Sequence, residues 1–296
     1  MNRRVSRLLL LAPALLLGAC SGGVLDPQGP IGAADRQIML DALAIMLAIV
    51  VPTLVAALAF AWWFRASNPR ARRRPRFAYS GRIELLVWSV PLLTIVFLGG
   101  LIWIGSHRLD PYRPIDSPTP ALEVQVVSMD WKWLFIYPRD GVASIGELVV
   151  PVGVPLHFTL TSDSVMNAFF VPQLGSMVAT MNGMATQLYL QADRAGDYRG
   201  QSTQFSGDGF SDMAFVVHAV PPADFDQWKA ALQRTGKVLD PAAYGALSRT
   251  RAAAAPAGYG AVAPGLFDAV LSRTLVPSDA GRSTGGDGAM HSHQGG

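Results

Sequence analysis

The chain of 296 residues holds one cysteine, five histidines and few charges, Asp, Glu, Lys and Arg together making 15%. A single thiol excludes any disulfide within the chain and any cluster of thiolate metal ligands. The histidines are scattered. His107, His157 and His218 have no second histidine at ligand spacing, and His157 and His218 fall in alternating stretches where their rings face solvent. His291 and His293 lie in a Gly/Ser-rich tail and are read as solvated. No nucleophile, base and orienting group can be assembled from these residues, which argues against a hydrolase. Low charge beside 50% hydrophobic residues is high for a soluble protein. Membrane segments are therefore expected.

The N-terminus, MNRRVSRLLLLAPALLLGAC, places Arg3, Arg4 and Arg7 ahead of a short apolar run, and Leu17-Gly18-Ala19 directly before Cys20. This is the order of a secretory signal, with an apolar region too short to span a bilayer. Leu-Gly-Ala-Cys resembles the bacterial lipobox, so Cys20 is expected to be the lipidated first residue of the mature chain.

Two longer apolar runs follow, Ala42 to Phe64 and Leu85 to Ser106, about 23 and about 22 residues without a formal charge. Each is long enough as a helix to cross a hydrocarbon core of roughly 30 Å. Pro52 and Pro91 lie inside them, which membrane helices tolerate. Trp62, Trp63, Trp88 and Trp103 near the ends suit interfacial anchors. The connection RASNPRARRRPRFAYSGR is rich in arginine and has no acidic residue. The positive-inside rule puts it in the cytoplasm and both outer ends of the hairpin outside. Between two spanning helices such a loop needs no nucleic-acid partner.

After a Pro-rich spacer the periodicity becomes that of strands. Leu122, Val124 and Val126 alternate with polar neighbours, and Trp131, Trp133, Phe135 and Tyr137 fall on a common face, with an interruption around Ser128 to Asp130. ELVVP, VPLHFTLTS, TQLYLQA, GDYRGQS and MAFVVHAV are further strand candidates. Their number and spacing predict a β-sandwich over about residues 121–220. Beyond it ADFDQWKAALQRTG and GLFDAVLSRTL predict short helices.

One loop has the form of a metal site. QSTQFSGDGFSDM is Gly-rich, closes on a Met and leads into an apolar strand. The order of parts, with IELLVWSVPLL, SMDWKWLFIYP and TSDSVMNAFFVPQLGS, resembles subunit II of the haem-copper respiratory oxidases over nearly the whole chain. The resemblance implies a cupredoxin-like sandwich. In members that accept electrons from cytochrome c, that sandwich carries a dinuclear copper centre held by a Cys-x-Glu-x-Cys-x-x-x-His-x-x-Met loop and an earlier histidine. Here Ser202 and Ser206 stand at the cysteine positions, Gln204 at the glutamate, Phe210 at the loop histidine and Asn167 at the earlier histidine; Met213 alone matches. A hydroxyl, a neutral amide and a phenyl ring cannot hold copper that cycles between oxidation states. A lone thioether packs readily as an apolar side chain, so Met213 is read as core.

Loss of that copper, together with FSGDGFSDM and the C-terminal extension, makes the chain similar to subunit II of the quinol-oxidising branch, the bacterial cytochrome bo-type ubiquinol oxidases. The resemblance implies no cofactor in this chain, haems and copper in partner subunit I, contacts with other oxidase subunits and membrane lipid, and ubiquinol as the substrate of the complex. It also associates Glu84, in GRIELLVWSVP, with the entrance of a proton channel; the alternative is an interfacial carboxylate paired with a group such as Arg82. Trp131 and Trp133 match the family's aromatic stretch and are read as packing against the sandwich or subunit I.

The expected fold is a two-helix transmembrane hairpin plus an all-β cupredoxin-like sandwich with a short α-helical C-terminal extension. By residue number this is a lipoprotein signal peptide at 1–19, a periplasmic segment at 20–37, membrane helices at 38–64 and 83–106 around a basic cytoplasmic loop at 65–82, a linker at 107–120, the copper-free sandwich at 121–220, a helical extension at 221–277 and a disordered tail at 278–296. The expected function is a structural subunit, with a proton-entrance role at Glu84, of a proton-pumping ubiquinol oxidase in the bacterial inner membrane. A membrane-anchored lipoprotein acting in adhesion or assembly is the alternative from another class, and a copper-bearing cytochrome c oxidase subunit a further one.

Overall fold

The computed structural model describes residues 23–72, 76–252 and 255–274. Cys20, the residues read as a signal peptide, and the tail with His291 and His293 lie outside them.

Helix α1 spans Pro30–Trp63 and helix α2 Gly81–Arg108, with Pro52 and Pro91 inside. α1 starts at Pro30 rather than at position 38. Hydropathy reports where the bilayer begins, and nothing in residues 30–37 stops a helix; Pro30 suits its first position. At 1.5 Å per residue the 34 residues extend about 51 Å, roughly 20 Å more than the hydrocarbon core. The surplus reaches the sandwich. Gly29 lies so close to it that a Cβ there would sit 2.0 Å from the Gln191 carbonyl oxygen. Gly32 N donates to Leu174 O at 3.0 Å, and Ser176 Oγ donates to an Asp35 carboxylate oxygen at 3.0 Å. α2 meets α1 where Gly105 lies against Ile38. Most of the hairpin's other apolar side chains are exposed, Leu58 and Leu85 by about 70%. Helices apolar all round need lipid or partner helices to cover them.

The sandwich has two sheets. One has the order β12-β3-β2-β1-β5-β8, with β1 Leu122–Met129, β2 Lys132–Tyr137, β3 Val142–Ile145, β5 Leu156–Ser162, β8 Thr186–Leu190 and β12 Ala257–Tyr259. The other has the order β4-β10-β9-β6-β7, with β4 Glu147–Pro151, β6 Asn167–Phe170, β7 Val178–Thr180, β9 Gly196–Ser202 and β10 Ala214–Val220. The β1–β5 and β4–β10 pairings are parallel. Trp133, Phe135 and Tyr137, on one face of β2 by the two-residue period, enter the core between the sheets. The Trp133 and Phe135 rings pack against Phe169 and Phe215 at centroid distances of 5.1–6.5 Å, a range that includes the Phe169–Phe215 stack itself.

The extension covers the other face of β2. Helices α3 Pro222–Arg234, α4 Pro241–Arg249 and α5 Leu266–Leu271 are joined by the short strands β11 Val238–Leu239 and β13 Ala261–Val262. Leu134 and Ile136 pack with Leu239, Tyr244, Phe267 and Val270 in a second core. The extension is thus not helical alone, since β12 adds an edge strand to the larger sheet. Three residues are too few to show a period in the sequence.

Candidate functional site

The loop singled out by its spacing joins β9 to β10 and ends in a 3₁₀ turn at Phe210–Asp212. Ser202 closes β9, and Asn167 opens β6 beside it. Both are buried, at 5% and 1% exposure. Ser202 Oγ donates to Asn167 Oδ1 at 3.1 Å, Asn167 Nδ2 donates to Val165 O at 3.2 Å, and Ala168 N donates to Ser202 Oγ at 3.4 Å. Two neutral polar groups thus satisfy one another inside the domain, as burial requires. Met213 is 1% exposed in the main core, with Ser206 Oγ 3.9 Å from its sulfur. Phe210 meets Phe205 edge to face at 5.6 Å, and the Gln204 side chain is exposed.

The loop's glycines have a physical reason. β1 and β2 form a hairpin whose turn is Asp130-Trp131, and Trp131 takes φ +59, a left-handed conformation rare outside glycine. This turn aims the indole back over the loop. Its Nε1 donates to Ser206 O at 3.1 Å. A Cβ on Gly209 would lie 2.3 Å from the indole Cδ2, so only glycine permits this stacking. Trp131 therefore lies in the turn rather than in β2, and packs half-buried against the edge of the core that holds Trp133, Phe135 and Tyr137. Strand periodicity could not show this, because a turn breaks the period.

A dinuclear copper centre, the group associated with this loop in copper-bearing members, does not fit these residues. The side chains at five of the six positions are hydroxyls, amides and a phenyl ring. Among the described residues no three His, Cys, Asp or Glu side chains converge as metal ligands.

Next to Trp131, Lys132 is 3% exposed and its ammonium donates to Asp130 O at 3.2 Å and to Thr250 O at the end of α4. Burial pushes its pKa down, while the Asp130 and Asp163 carboxylates act in the opposite direction. Arg251 pairs with Asp130 at 3.1 Å, so the extension grips both sides of the turn. Sequence reading missed this contact. Its one sign was a lysine between two tryptophans at the start of a buried strand.

Glu84 stands apart, exposed in the first turn of α2, where the helix dipole favours a carboxylate. Among the described residues it has no ion-pair partner, Arg82 included. His157 stacks on Tyr189 with centroids 4.5 Å apart, and His218 Nδ1 lies 2.7 Å from Asp197 Oδ1. Both rings are half-buried.

Residues 140–220 match the family described as cytochrome c oxidase subunit II, periplasmic domain. The chain is 42% identical to the cytochrome bo(3) ubiquinol oxidase subunit 2 of Pseudomonas aeruginosa, over 97% of this chain and 86% of that one. It is 42% identical to the ubiquinol oxidase subunit 2 of Acetobacter aceti, over 95% and 92% of the two chains. Among solved structures, the periplasmic domain of subunit II of cytochrome oxidase from Bradyrhizobium japonicum is similar at 22% identity, covering 40% of this chain and 97% of that one with a TM-score of 0.38.

Proposed function

The chain belongs to the ubiquinol oxidase subunit 2 family, subunits of an oxidoreductase complex, and on that premise we propose that it serves the complex without carrying electrons. One observation carries this reading. The buried groups at two copper-ligand positions, Ser202 and Asn167, are hydrogen-bonded to each other. A soluble protein donor needs a metal at the aqueous surface, whereas a lipid-soluble quinol reaches a site in the membrane part directly. The redox chemistry, quinol oxidation and reduction of oxygen to water, belongs to partner subunit I with its haems and copper. This chain contributes apolar helices for that partner and lipid to cover, and a sandwich held to them through α1.

Two further roles belong to the same reading. Glu84 takes protons from the cytoplasmic side toward subunit I, supported by its exposure and its lack of an ion-pair partner among the described residues. Cys20 is acylated and anchors the N-terminus at the periplasmic face of the inner membrane, supported by Leu17-Gly18-Ala19 before it.

Purification of a tagged chain in mild detergent, with haem, metal and subunit analysis, tests the reading. A haem-containing partner is expected, with all copper accounted for by that partner. Dinuclear copper absorption from the sandwich would return the chain to the cytochrome c-oxidising class. Absence of any haem-containing partner would favour an adhesion or assembly lipoprotein.

A further inference from the structure

The connection between the membrane helices, residues 65–82, holds seven arginines, no lysine and no acidic residue. Five of them lie among the described residues: Arg65, Arg70, Arg72, Arg76 and Arg82. None of the five forms an ion pair among the described residues. Arg65 lies over the Trp62 ring at 4.7 Å and donates to Trp62 O at 2.9 Å, which holds one guanidinium at the end of α1. Exposed aromatic side chains flank these charges: Trp62 and Trp63 before the loop, Phe77 and Tyr79 near its end.

Setting the orientation of a hairpin requires an excess of lysine or arginine, without preference between them. An arginine-only loop edged by aromatic rings has a narrower chemistry. The guanidinium fork matches phosphate oxygens in pairs, and Trp and Tyr suit the headgroup level. Basic clusters next to a membrane helix are drawn to anionic lipid. We propose that the five described arginines of this loop, with the aromatic rings beside them, form a binding surface for anionic phospholipid headgroups of the leaflet opposite the sandwich. The inference rests on the hairpin crossing the membrane and is independent of which substrate the complex oxidises.

The test uses the purified, delipidated oxidase complex, titrated with phosphatidylglycerol or phosphatidylcholine and with bound lipid counted by native mass spectrometry. Wild type is expected to bind phosphatidylglycerol at least tenfold more tightly than phosphatidylcholine. A chain with Arg70→Gln, Arg72→Gln and Arg76→Gln should have that preference weakened, by about fivefold per arginine removed. Arg65, Arg73, Arg74 and Arg82 remain to keep the orientation, which proteolysis from either side of the membrane checks. Lysine at the same three positions retains the charge and should bind phosphatidylglycerol severalfold more weakly than arginine, so this variant decides if the glutamine chain does not insert. Equal lipid preference in wild type and variants overturns the proposal. Displacement of the lipid by inorganic phosphate also overturns it, since the loop then binds a free anion rather than a lipid surface. Quinol turnover measured on the same samples shows separately whether the oxidase reading holds.

Discussion

Ser202 Oγ donates to Asn167 Oδ1 at 3.1 Å, linking β9 to β6 at two positions that the resemblance aligns with copper ligands of cytochrome c-oxidising subunits. The bond turns a pair of ligand positions into a cross-strand contact. A buried hydroxyl and a buried amide are costly without partners, and each is the other's partner here.

Ser202→Ala is expected to lower the stability of the sandwich by about 1 kcal/mol, since it leaves Asn167 Oδ1 without its donor. Oxygen uptake with quinol should not change. Thermal unfolding and turnover of the purified complex check both, and a large loss of turnover with normal stability would give Ser202 a role in electron delivery.

Gly209→Ala places a methyl group where the Trp131 indole lies, 2.3 Å from its Cδ2. The ring has to move and lose its bond to Ser206 O, at a cost of about 1–3 kcal/mol. Indole fluorescence should shift toward that of a solvated ring. An unchanged spectrum and midpoint would mean that the loop yields instead of the tryptophan.

Tyr137 Oη donates to Val149 O at 2.8 Å and accepts from Val149 N at 3.0 Å, tying β2 in one sheet to the edge strand β4 of the other. Tyr137→Phe leaves both backbone groups unpaired and is expected to cost about 1–3 kcal/mol.

Burial pushes the Tyr137 hydroxyl well above its ordinary pKa of 10.0. The unfolded chain therefore releases this proton at lower pH than the folded one. The group's contribution is complete below 10.0 and falls as pH rises beyond it. Denaturation midpoints between neutral pH and pH about 11 should decline less steeply in Tyr137→Phe than in wild type. Parallel slopes would assign the alkaline loss to other groups.

Glu84→Gln keeps the size of the side chain and removes its charge. Slower turnover and slower proton uptake are expected, with haem content and subunit composition unchanged. Turnover equal to wild type at every pH would reduce Glu84 to an interfacial charge.

Several of these features were legible before any coordinates. The aromatic alternation of β2 placed Trp133, Phe135 and Tyr137 on one face, and all three are core. Strands β3, β6 and β7, of three or four residues each, carry no such signal in the sequence. Segments that short lie below the length at which a period of two can be distinguished from chance. α4 is equally hidden in the sequence, although Asp240 caps it by accepting from Ala243 N at 2.8 Å. A helix of nine residues that begins Pro-Ala-Ala gives a weak periodic signal.

By itself the sequence determined the spanning helices, the class of the domain and the chemistry that its loop lacks. These depend on residue identity and count: charge-free length is set by what a bilayer admits, and a site without thiolates or imidazoles cannot hold dinuclear copper. The tertiary structure alone decided what the loop's residues do instead. Ser202 and Asn167, Trp131 and Gly209, and Lys132 and Thr250 are far apart in the chain, and their meetings depend on a turn at φ +59 and on how two sheets and an extension pack. No local pattern encodes such contacts, because each partner's position is set by the packing of residues distant from both.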